Sequence, residues 1–210
     1  MKLTIFGATG ATGKQLVVQA LAAGNQVVAF VRNPARLETK HERLSVMQGE
    51  LTDLAAIERA ISGADAVLSA LGPRVGSAGR PLTHGMRNIL AGMKSQSVRR
   101  LIITSTPSAH DPNDLPDVRF KALVSLVKLA MRPAYEEIVS VAEAVRASDR
   151  DWTIVRVSML NNHPASGNVR LGYLGKGEVG LAISRADLAW FMLQQVQVAG
   201  YLRQAPVISN

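Results

Sequence analysis

Cysteine is absent from the 210-residue sequence, which excludes disulfide bonds, thiolate catalysis and thiol-ligated metal sites. Histidine is scarce as well, and its four copies show no metal-binding spacing such as H-x-x-x-H. They occupy positions 41, 84, 110 and 163. We therefore expect no metal site and no metal-based catalysis.

Long apolar runs are also missing. No stretch approaches the roughly 18 consecutive apolar residues of a membrane-spanning helix. The chain opens directly on a strand-like pattern from Lys2 to Phe6, which leaves no room for a signal peptide. We therefore expect a soluble, cytoplasmic protein with no membrane partner.

Aromatic residues make up only 4% of the sequence, whereas Lys and Arg outnumber Asp and Glu by 24 to 16. The net charge of +8 would suit nucleic acid, but the basic residues are scattered and few aromatic rings are available to stack on bases. We expect a small-molecule substrate and no nucleic-acid partner. The charge is then either an ordinary solvated surface or an attraction for a phosphorylated cofactor and an acidic substrate.

A glycine-rich stretch joins the first predicted strand to the first predicted helix. It reads Gly7-Ala8-Thr9-Gly10-Ala11-Thr12-Gly13 and precedes a helical pattern over residues 14–23. Glycine at the first two of these sites allows positive φ and close approach of a pyrophosphate, and Gly13 lets the helix lie close to the strand. The free amides and positive dipole at the start of the helix favour a phosphate, to which Thr9 and Thr12 can add hydroxyl donors. The stretch predicts a dinucleotide-binding loop, since a bare strand-to-helix turn needs only one glycine.

The second predicted strand, Gln26–Val31, ends in a basic segment. An acid at this point would bind the ribose 2′-hydroxyl of NAD, whereas a cation accommodates the 2′-phosphate of NADP. Arg32 and Arg36 follow the strand, and no acid comes before Glu38. Two guanidinium groups can clamp one phosphate, so the segment favours NADPH. The alternative is that both are ordinary surface arginines.

Strand and helix patterns alternate along the rest of the chain. Further strands are predicted over residues 44–47, 64–71, 100–104, 152–157 and 206–209, and helices over residues 53–61, 118–131, 135–147 and from 184 to near 200. The alternation predicts an α/β fold with a Rossmann-type, doubly wound, mostly parallel sheet, in a single domain of residues 1–210. Glycines between residues 161 and 180 predict a hairpin-rich insertion on the substrate side, at about residues 158–183.

Further features are predicted around the reacting end of the site. A glycine-containing loop over residues 76–81 is a candidate flap. Ser105 and Thr106 follow the fifth strand, and ligands of open parallel sheets bind at this end of the strands, so these hydroxyls are expected near the reacting ring. Ser184 and Asp187 have the spacing of a capping box, which predicts a helix start.

Several segments together resemble the atypical short-chain dehydrogenases/reductases with NAD(P)-binding domains, a group that includes the NmrA-like proteins. The segments span nearly the whole chain, at residues 2–13, 31–32, 85–90, 104–105, 152–156 and 183–189. Within the group, the sequence is most similar to the biliverdin and flavin reductase family. The resemblance implies NADP(H) as cofactor, and we expect a monomer or a weak homodimer.

The resemblance also implies a set of site residues. It assigns the pyrophosphate to Gly7, Thr9, Gly10, Ala11, Thr12 and Gly13, and the 2′-phosphate to Arg32 and Arg36. It places Glu50 and Leu51 near the adenine and Ala70, Leu71 and Gly72 near the ribose. Ser105 or Thr106 would lie beside the nicotinamide.

The chemistry predicted from these residues is hydride transfer to a flat conjugated acceptor. Carbonyl reduction usually needs a Tyr-x-x-x-Lys pair, and Tyr135 is followed four residues later by Val139. Hydride transfer to a flavin, a quinone or a linear tetrapyrrole spreads charge over the acceptor, and solvent can deliver the proton. The leading hypothesis is therefore an NADPH-dependent oxidoreductase, with flavin as one candidate substrate.

Two alternatives stay open. One is a non-catalytic NADP-sensing regulatory protein of the NmrA type. The other is a carbonyl reductase or epimerase that uses Ser105, Tyr135 or Lys121 as proton donor.

Overall fold

The computed structural model describes residues 1–73 and 80–210, and within these ranges the chain forms ten strands and six α-helices. The strands are β1 (Lys2–Phe6), β2 (Gln26–Val31), β3 (Leu44–Gln48), β4 (Ala66–Ser69), β5 (Arg100–Ser105), β6 (Asp151–Arg156), β7 (Met159–Asn161), β8 (Arg170–Gly172), β9 (Ala182–Ser184) and β10 (Val207–Ser209). The helices are α1 (Ala11–Ala22), α2 (Leu54–Ile61), α3 (Pro81–Ser95), α4 (Val118–Ala130), α5 (Arg132–Arg146) and α6 (Arg185–Gln197).

Eight strands form one sheet in the order β3-β2-β1-β4-β5-β6-β10-β8. All neighbouring pairs are parallel except β10 with β8, which is antiparallel. The strand order changes direction between β1 and β4, and this switch point is where open parallel sheets bind their ligands. The predicted α/β, doubly wound fold is confirmed.

Helices cover both faces of the sheet. Apolar residues of α1 and α6 form one core with the sheet, and those of α2, α3 and α5 form the other. The central strands are buried on both faces, which explains why β1 and β4 read as nearly continuous apolar runs. None of the helices in the described ranges has the length and apolarity required to span a membrane.

Several predicted boundaries differ from those observed. The fourth strand ends at Ser69 rather than at residue 71, so Ala70 and Leu71 belong to the loop beside the switch point. Helix α1 begins at Ala11, because the end of the glycine stretch forms its first turn. Helix α5 begins at Arg132, with Pro133 in the first turn, where a missing amide leaves no hydrogen bond unmade.

The predicted hairpins of residues 161–180 are not observed. Strand β7 pairs with β9 in parallel, and β8 pairs with β10 at the edge of the main sheet. The short strands of this segment therefore pair with strands that are distant in sequence rather than with a neighbour across a tight turn. Of the predicted flap over residues 76–81, residues 76–79 lie outside the described residues, and Pro81 is the first residue of α3.

Candidate functional site

The turn after β1 is shaped by close contact with the loop after β4. Gly7 has a φ of +80°, and a Cβ there would lie 2.8 Å from the carbonyl carbon of Ala70. The amide of Gly10 donates to the carbonyl oxygen of Gly7 at 3.0 Å and closes the turn. Only glycine accommodates both the left-handed conformation and the contact at position 7.

The start of α1 has no side-chain cap among residues 1–73 and 80–210. Gly10 is the residue before the helix, no side chain in these ranges accepts a bond from the first-turn amides, and no acid occupies the first turn. A Cβ at Gly13 would overlap the carbonyl oxygen of Gly7, so this glycine lets the helix pack directly on the turn. The uncapped amides and the positive end of the helix dipole are thus available to an anion.

A cavity of about 590 Å³ extends from this turn along the switch point. It reaches the segment after β2 at one end and the first turns of α3 and α5 at the other. Its walls include ten of the thirteen residues predicted to bind the cofactor: Gly7, Thr9, Gly10, Arg32, Arg36, Glu50, Leu51, Ala70, Leu71 and Gly72.

The other three predicted cofactor residues form the first turn of α1 rather than the cavity wall. Ala11 is exposed, and the side chain of Thr12 is buried beside Gly13. Their contribution to binding would come from the backbone amides of the helix start. The contact of the Thr12 hydroxyl with a phosphate stays a prediction.

Arg32 and Arg36 lie together at one end of the cavity. A short 3₁₀ turn over Pro34–Arg36 brings them to the same wall, and the side chain of Asn33 stabilises that turn by accepting from the amide of Ala35 at 3.1 Å. Within the described ranges, neither guanidinium has an acidic partner within 4.0 Å. Both charges are exposed and free to bind a phosphate.

The segment after β3 is held in place by a helix that the sequence analysis did not connect with it. A Cβ at Gly85 of α3 would lie 2.7 Å from Cδ1 of Leu51, so only a glycine lets this helix pack on the segment. The side-chain amide of Asn88 then donates to the carbonyl oxygen of Leu51 at 2.8 Å. The wall predicted to contact the adenine is thereby fixed.

The opposite end of the cavity is built by residues that the sequence analysis missed. The N-terminal halves of α3 and α5 meet there, and they contribute Pro81, Leu82, His84, Pro133, Ala134 and Glu137. No motif marks this end, because it depends on how two helices dock against each other. The available signal was the proline at the start of each helix.

Glu137 joins these two helices. Its side chain is buried, with 4% of the residue exposed, and its carboxylate accepts from the amides of Leu82 and Thr83 at 3.1 and 2.8 Å. It also accepts from the hydroxyl of Thr83 at 2.7 Å. A carboxylate of α5 therefore caps the start of α3, where the helix dipole favours a negative charge.

The three residues predicted to be catalytic are not among the cavity-lining residues. Ser105 ends β5, and its carbonyl oxygen accepts from the amide of Val157 at 3.0 Å. The hydroxyl of Thr106 accepts from the amide of Ser108 at 3.3 Å. Tyr135 is half-buried next to the lining residue Ala134, and the ammonium of Lys128 lies 5.6 Å from the centre of its ring.

A buried ion pair organises the loop between β5 and α4. Arg156, at the end of β6, is fully buried, and its guanidinium donates two bonds to the Asp114 carboxylate at 2.6 and 2.7 Å. Burial by itself would raise the pKa of Asp114. Hydrogen bonds from Arg156 and from the amides of Asp111 and Leu174 outweigh burial and hold this pKa below its usual value. The pair links β6, the loop and the predicted insertion.

The predicted capping box anchors the insertion as well as the helix. The hydroxyl of Ser184 accepts from the amide of Asp187 at 3.0 Å, as the box requires. The Asp187 carboxylate also accepts from the amides of Ser166 and Gly167 at 2.9 and 3.1 Å. Burial would raise the pKa of Asp187, but these bonds lower it below the usual value. One acid thus fixes both the start of α6 and a turn of the insertion.

The sequence matches the NAD(P)H-binding family over residues 7–198. Among curated proteins, it is 29% identical over 154 residues to the (4-alkanoyl-5-oxo-2,5-dihydrofuran-3-yl)methyl phosphate reductase of Streptomyces griseus. The aligned region covers 73% of this chain and 46% of the relative. The chain spans less than half the length of the curated relatives it matches first.

Solved structures share the fold at low sequence identity. ChuY, an anaerobillin reductase from Escherichia coli O157:H7, superposes with a TM-score of 0.81 at 19% identity, over 100% of this chain and 97% of its own. A short-chain dehydrogenase/reductase from Veillonella parvula in complex with NADP gives a TM-score of 0.79 at 18% identity, over 100% of this chain and 94% of its own. These likenesses establish the fold.

Proposed function

Because the chain belongs to the NAD(P)H-binding family, we propose that it is an NADPH-dependent oxidoreductase that transfers hydride to a planar conjugated acceptor, namely a flavin, a quinone or a linear tetrapyrrole. The observation that carries the proposal is the cavity, which joins a glycine turn, an arginine pair and an apolar far end in one continuous space.

The choice of NADPH rests on the arginine pair. The residues present fit a dinucleotide, because Gly7 lets the turn after β1 pack against the backbone of Ala70 and the amides at the start of α1 have no acceptor from the residue before the helix. Arg32 and Arg36 would hold the 2′-phosphate, and no acid stands at the end of β2 to favour the free ribose hydroxyl of NADH.

The choice of acceptor rests on the far end of the cavity. Its walls there are largely apolar, from Pro81, Leu82, Pro133 and Ala134, which suits a flat ring system. The Glu137 carboxylate already accepts three bonds from α3, and Tyr135 has Val139 where a lysine would activate it. These features favour an acceptor that takes its proton from solvent.

The separate roles of the cofactor and of the protein follow from this arrangement. When bound, the nicotinamide cofactor supplies the hydride. The protein binds its phosphates, orients its ring along the switch point and offers an apolar surface on which the acceptor can stack. Positioning of the two reactants is then the main contribution of the chain to the rate.

The test is turnover of NADPH, followed by absorbance, with FMN, riboflavin, a soluble quinone and a linear tetrapyrrole as acceptors. We expect oxidation with at least one of them, and slower oxidation of NADH at equal concentration. NADPH binding without turnover on the whole panel would contradict the proposal and would favour the NADP-sensing regulatory alternative.

A carbonyl reductase is the second candidate, favoured by the position of Tyr135 next to the cavity-lining residue Ala134. Tyr135→Phe separates the two candidates. A large loss of carbonyl reduction in this variant would support the second candidate, and an unchanged rate would remove tyrosine from the mechanism.

A further inference from the structure

Helix α4 carries apolar side chains on two opposite faces, and only one of these faces is covered. Its inward face contributes Phe120, which packs with Leu174, Val179 and Val207. Phe120 is the buried residue of this helix. The covered face therefore accounts for only part of the apolar surface of α4.

The outward face of α4 is exposed to solvent over its whole length. Val118 is 84% exposed, Leu126 62% and Leu129 85%. With about 100° between successive residues, these positions and Ala122 fall within a sector of roughly 80°. Isolated exposed apolar side chains are ordinary, but a continuous stripe of them marks a surface that binds something.

Basic residues flank this stripe. Lys121 and Lys128 lie on one side of it and Arg119 on the other, at helical spacing, and all three are exposed. Residues 118–130 contain no acid. Asp117, just before the helix, pairs with Arg119 at 3.1 Å. The partner of the stripe must therefore accept apolar side chains in its centre and tolerate positive charge along its edges.

A second copy of the chain does not meet these requirements. Pairing α4 with itself would bring three basic residues of each copy together, and the helix carries no acid to compensate them. Net charge of +8 on each chain adds to this repulsion.

We propose that α4 is an interfacial helix that binds the surface of an anionic phospholipid bilayer. In this arrangement the outward stripe enters the boundary between headgroups and acyl chains, while the lysines contact the phosphates. The protein would bind to the surface without spanning it, so the proposal replaces the expectation of no membrane partner. It does not depend on the identity of the acceptor in the cavity.

The experiment measures binding of the full chain to vesicles by co-sedimentation. We expect binding to vesicles that contain phosphatidylglycerol, weaker binding to pure phosphatidylcholine, and weaker binding as salt is raised. The variant Leu126→Ser/Leu129→Ser should lose binding. A matched control is Val18→Ser, which removes an exposed apolar side chain from α1, 51% exposed, and should bind like the wild type.

The charge dependence is tested separately. Lys121→Gln/Lys128→Gln should weaken binding to anionic vesicles by about fivefold for each charge removed, since each basic residue near such a surface contributes about that factor. All substituted side chains are exposed, and circular dichroism with thermal melting checks that each variant folds.

Three results would overturn the proposal. The first is no binding of the wild type to anionic vesicles. The second is equal binding by the wild type and the Leu126→Ser/Leu129→Ser variant. The third is a dimer in sedimentation velocity that dissociates in that variant, because a second copy would then be the partner of the stripe.

Discussion

Removing the arginine pair should change which nicotinamide nucleotide the protein prefers. The variant Arg32→Ala/Arg36→Ala deletes both cations at one end of the cavity and leaves the glycine turn and the start of α1 unaltered. If both side chains bind the 2′-phosphate, NADPH should lose affinity while NADH, which lacks that phosphate, should not.

The size of the effect follows from the exposure of the two guanidiniums. A charge-assisted hydrogen bond contributes about 1.5–3 kcal/mol. Both side chains are exposed, and solvent and salt screen them, so we expect about 2–4 kcal/mol for the pair rather than the full sum. This corresponds to a rise of roughly 30- to 1,000-fold in the Kd for NADPH.

The assay is isothermal titration calorimetry of both nucleotides with wild type and variant at low and high salt. Arg59→Ala/Arg170→Ala is the control for a loss of two positive charges, because both arginines are exposed and lie outside the cavity lining. An equal loss of affinity for NADPH and NADH would refute the assignment, as would an effect of the same size in the control.

Three further changes probe the turn, the helix junction and the buried ion pair. Gly7→Ala places a Cβ 2.8 Å from the Ala70 backbone at a φ of +80°. We therefore expect about 1–3 kcal/mol of destabilisation in thermal melts, together with weaker nucleotide binding. An unchanged affinity for the nucleotide would argue against the turn as the pyrophosphate site. Glu137→Gln places a side-chain amide group opposite the backbone amides of Leu82 and Thr83, and it should lower the free energy of unfolding in urea by about 1–3 kcal/mol. A decrease of only a few tenths of a kcal/mol would show that the junction of α3 and α5 does not depend on this carboxylate. The pKa of Asp114 is lowered in the folded state, so its stabilising contribution is present above the unfolded value of about 3.9 and is lost as pH falls through the lower folded value. Asp114→Asn should accordingly lose about 3 kcal/mol at neutral pH and show a flatter fall in stability below about pH 4; an identical acid profile in wild type and variant would contradict this account.

The end of the cavity around the glycine turn could be predicted because its requirements are local. A turn that needs positive φ and close contact selects glycine at Gly7, and the residues that follow a parallel strand stand at a known edge of the sheet. The sheet and the helices could be predicted for the same reason, because the alternation of strand and helix patterns is also read from neighbouring residues. Boundaries shifted by a few residues, as at Ala70, which the sequence pattern placed in a strand and which lies in the loop packed against Gly7.

The end of the cavity formed by α3 and α5 could not be predicted because it depends on contacts between distant segments. Glu137 reaches α3 from α5, and nothing around position 137 in the sequence indicates that its partners are Leu82 and Thr83. Arg156 falls inside a predicted strand, and nothing in the sequence indicates that it holds the loop that contains Asp114. The predicted hairpins failed for a related reason, since glycines indicate turns but not which strands the turns connect.

The contacts of the loop between β5 and α4 predict which part of the chain folds first. The guanidinium of Arg156 binds Asp114 across a separation of 42 residues, the amide of Leu174 binds it across 60, and the amide of Ala205 reaches Asp111 across 94. The pairing of β1 with β2, by contrast, joins residues only 24 positions apart, from Lys2 with Gln26 to Phe6 with Phe30. Contacts that close long loops form slowly, because chain entropy is lost before they stabilise the fold. The unit formed by β1, α1 and β2 can therefore assemble first, and pulse-labelled hydrogen exchange during refolding should detect protected amides in β1 before those around Asp114.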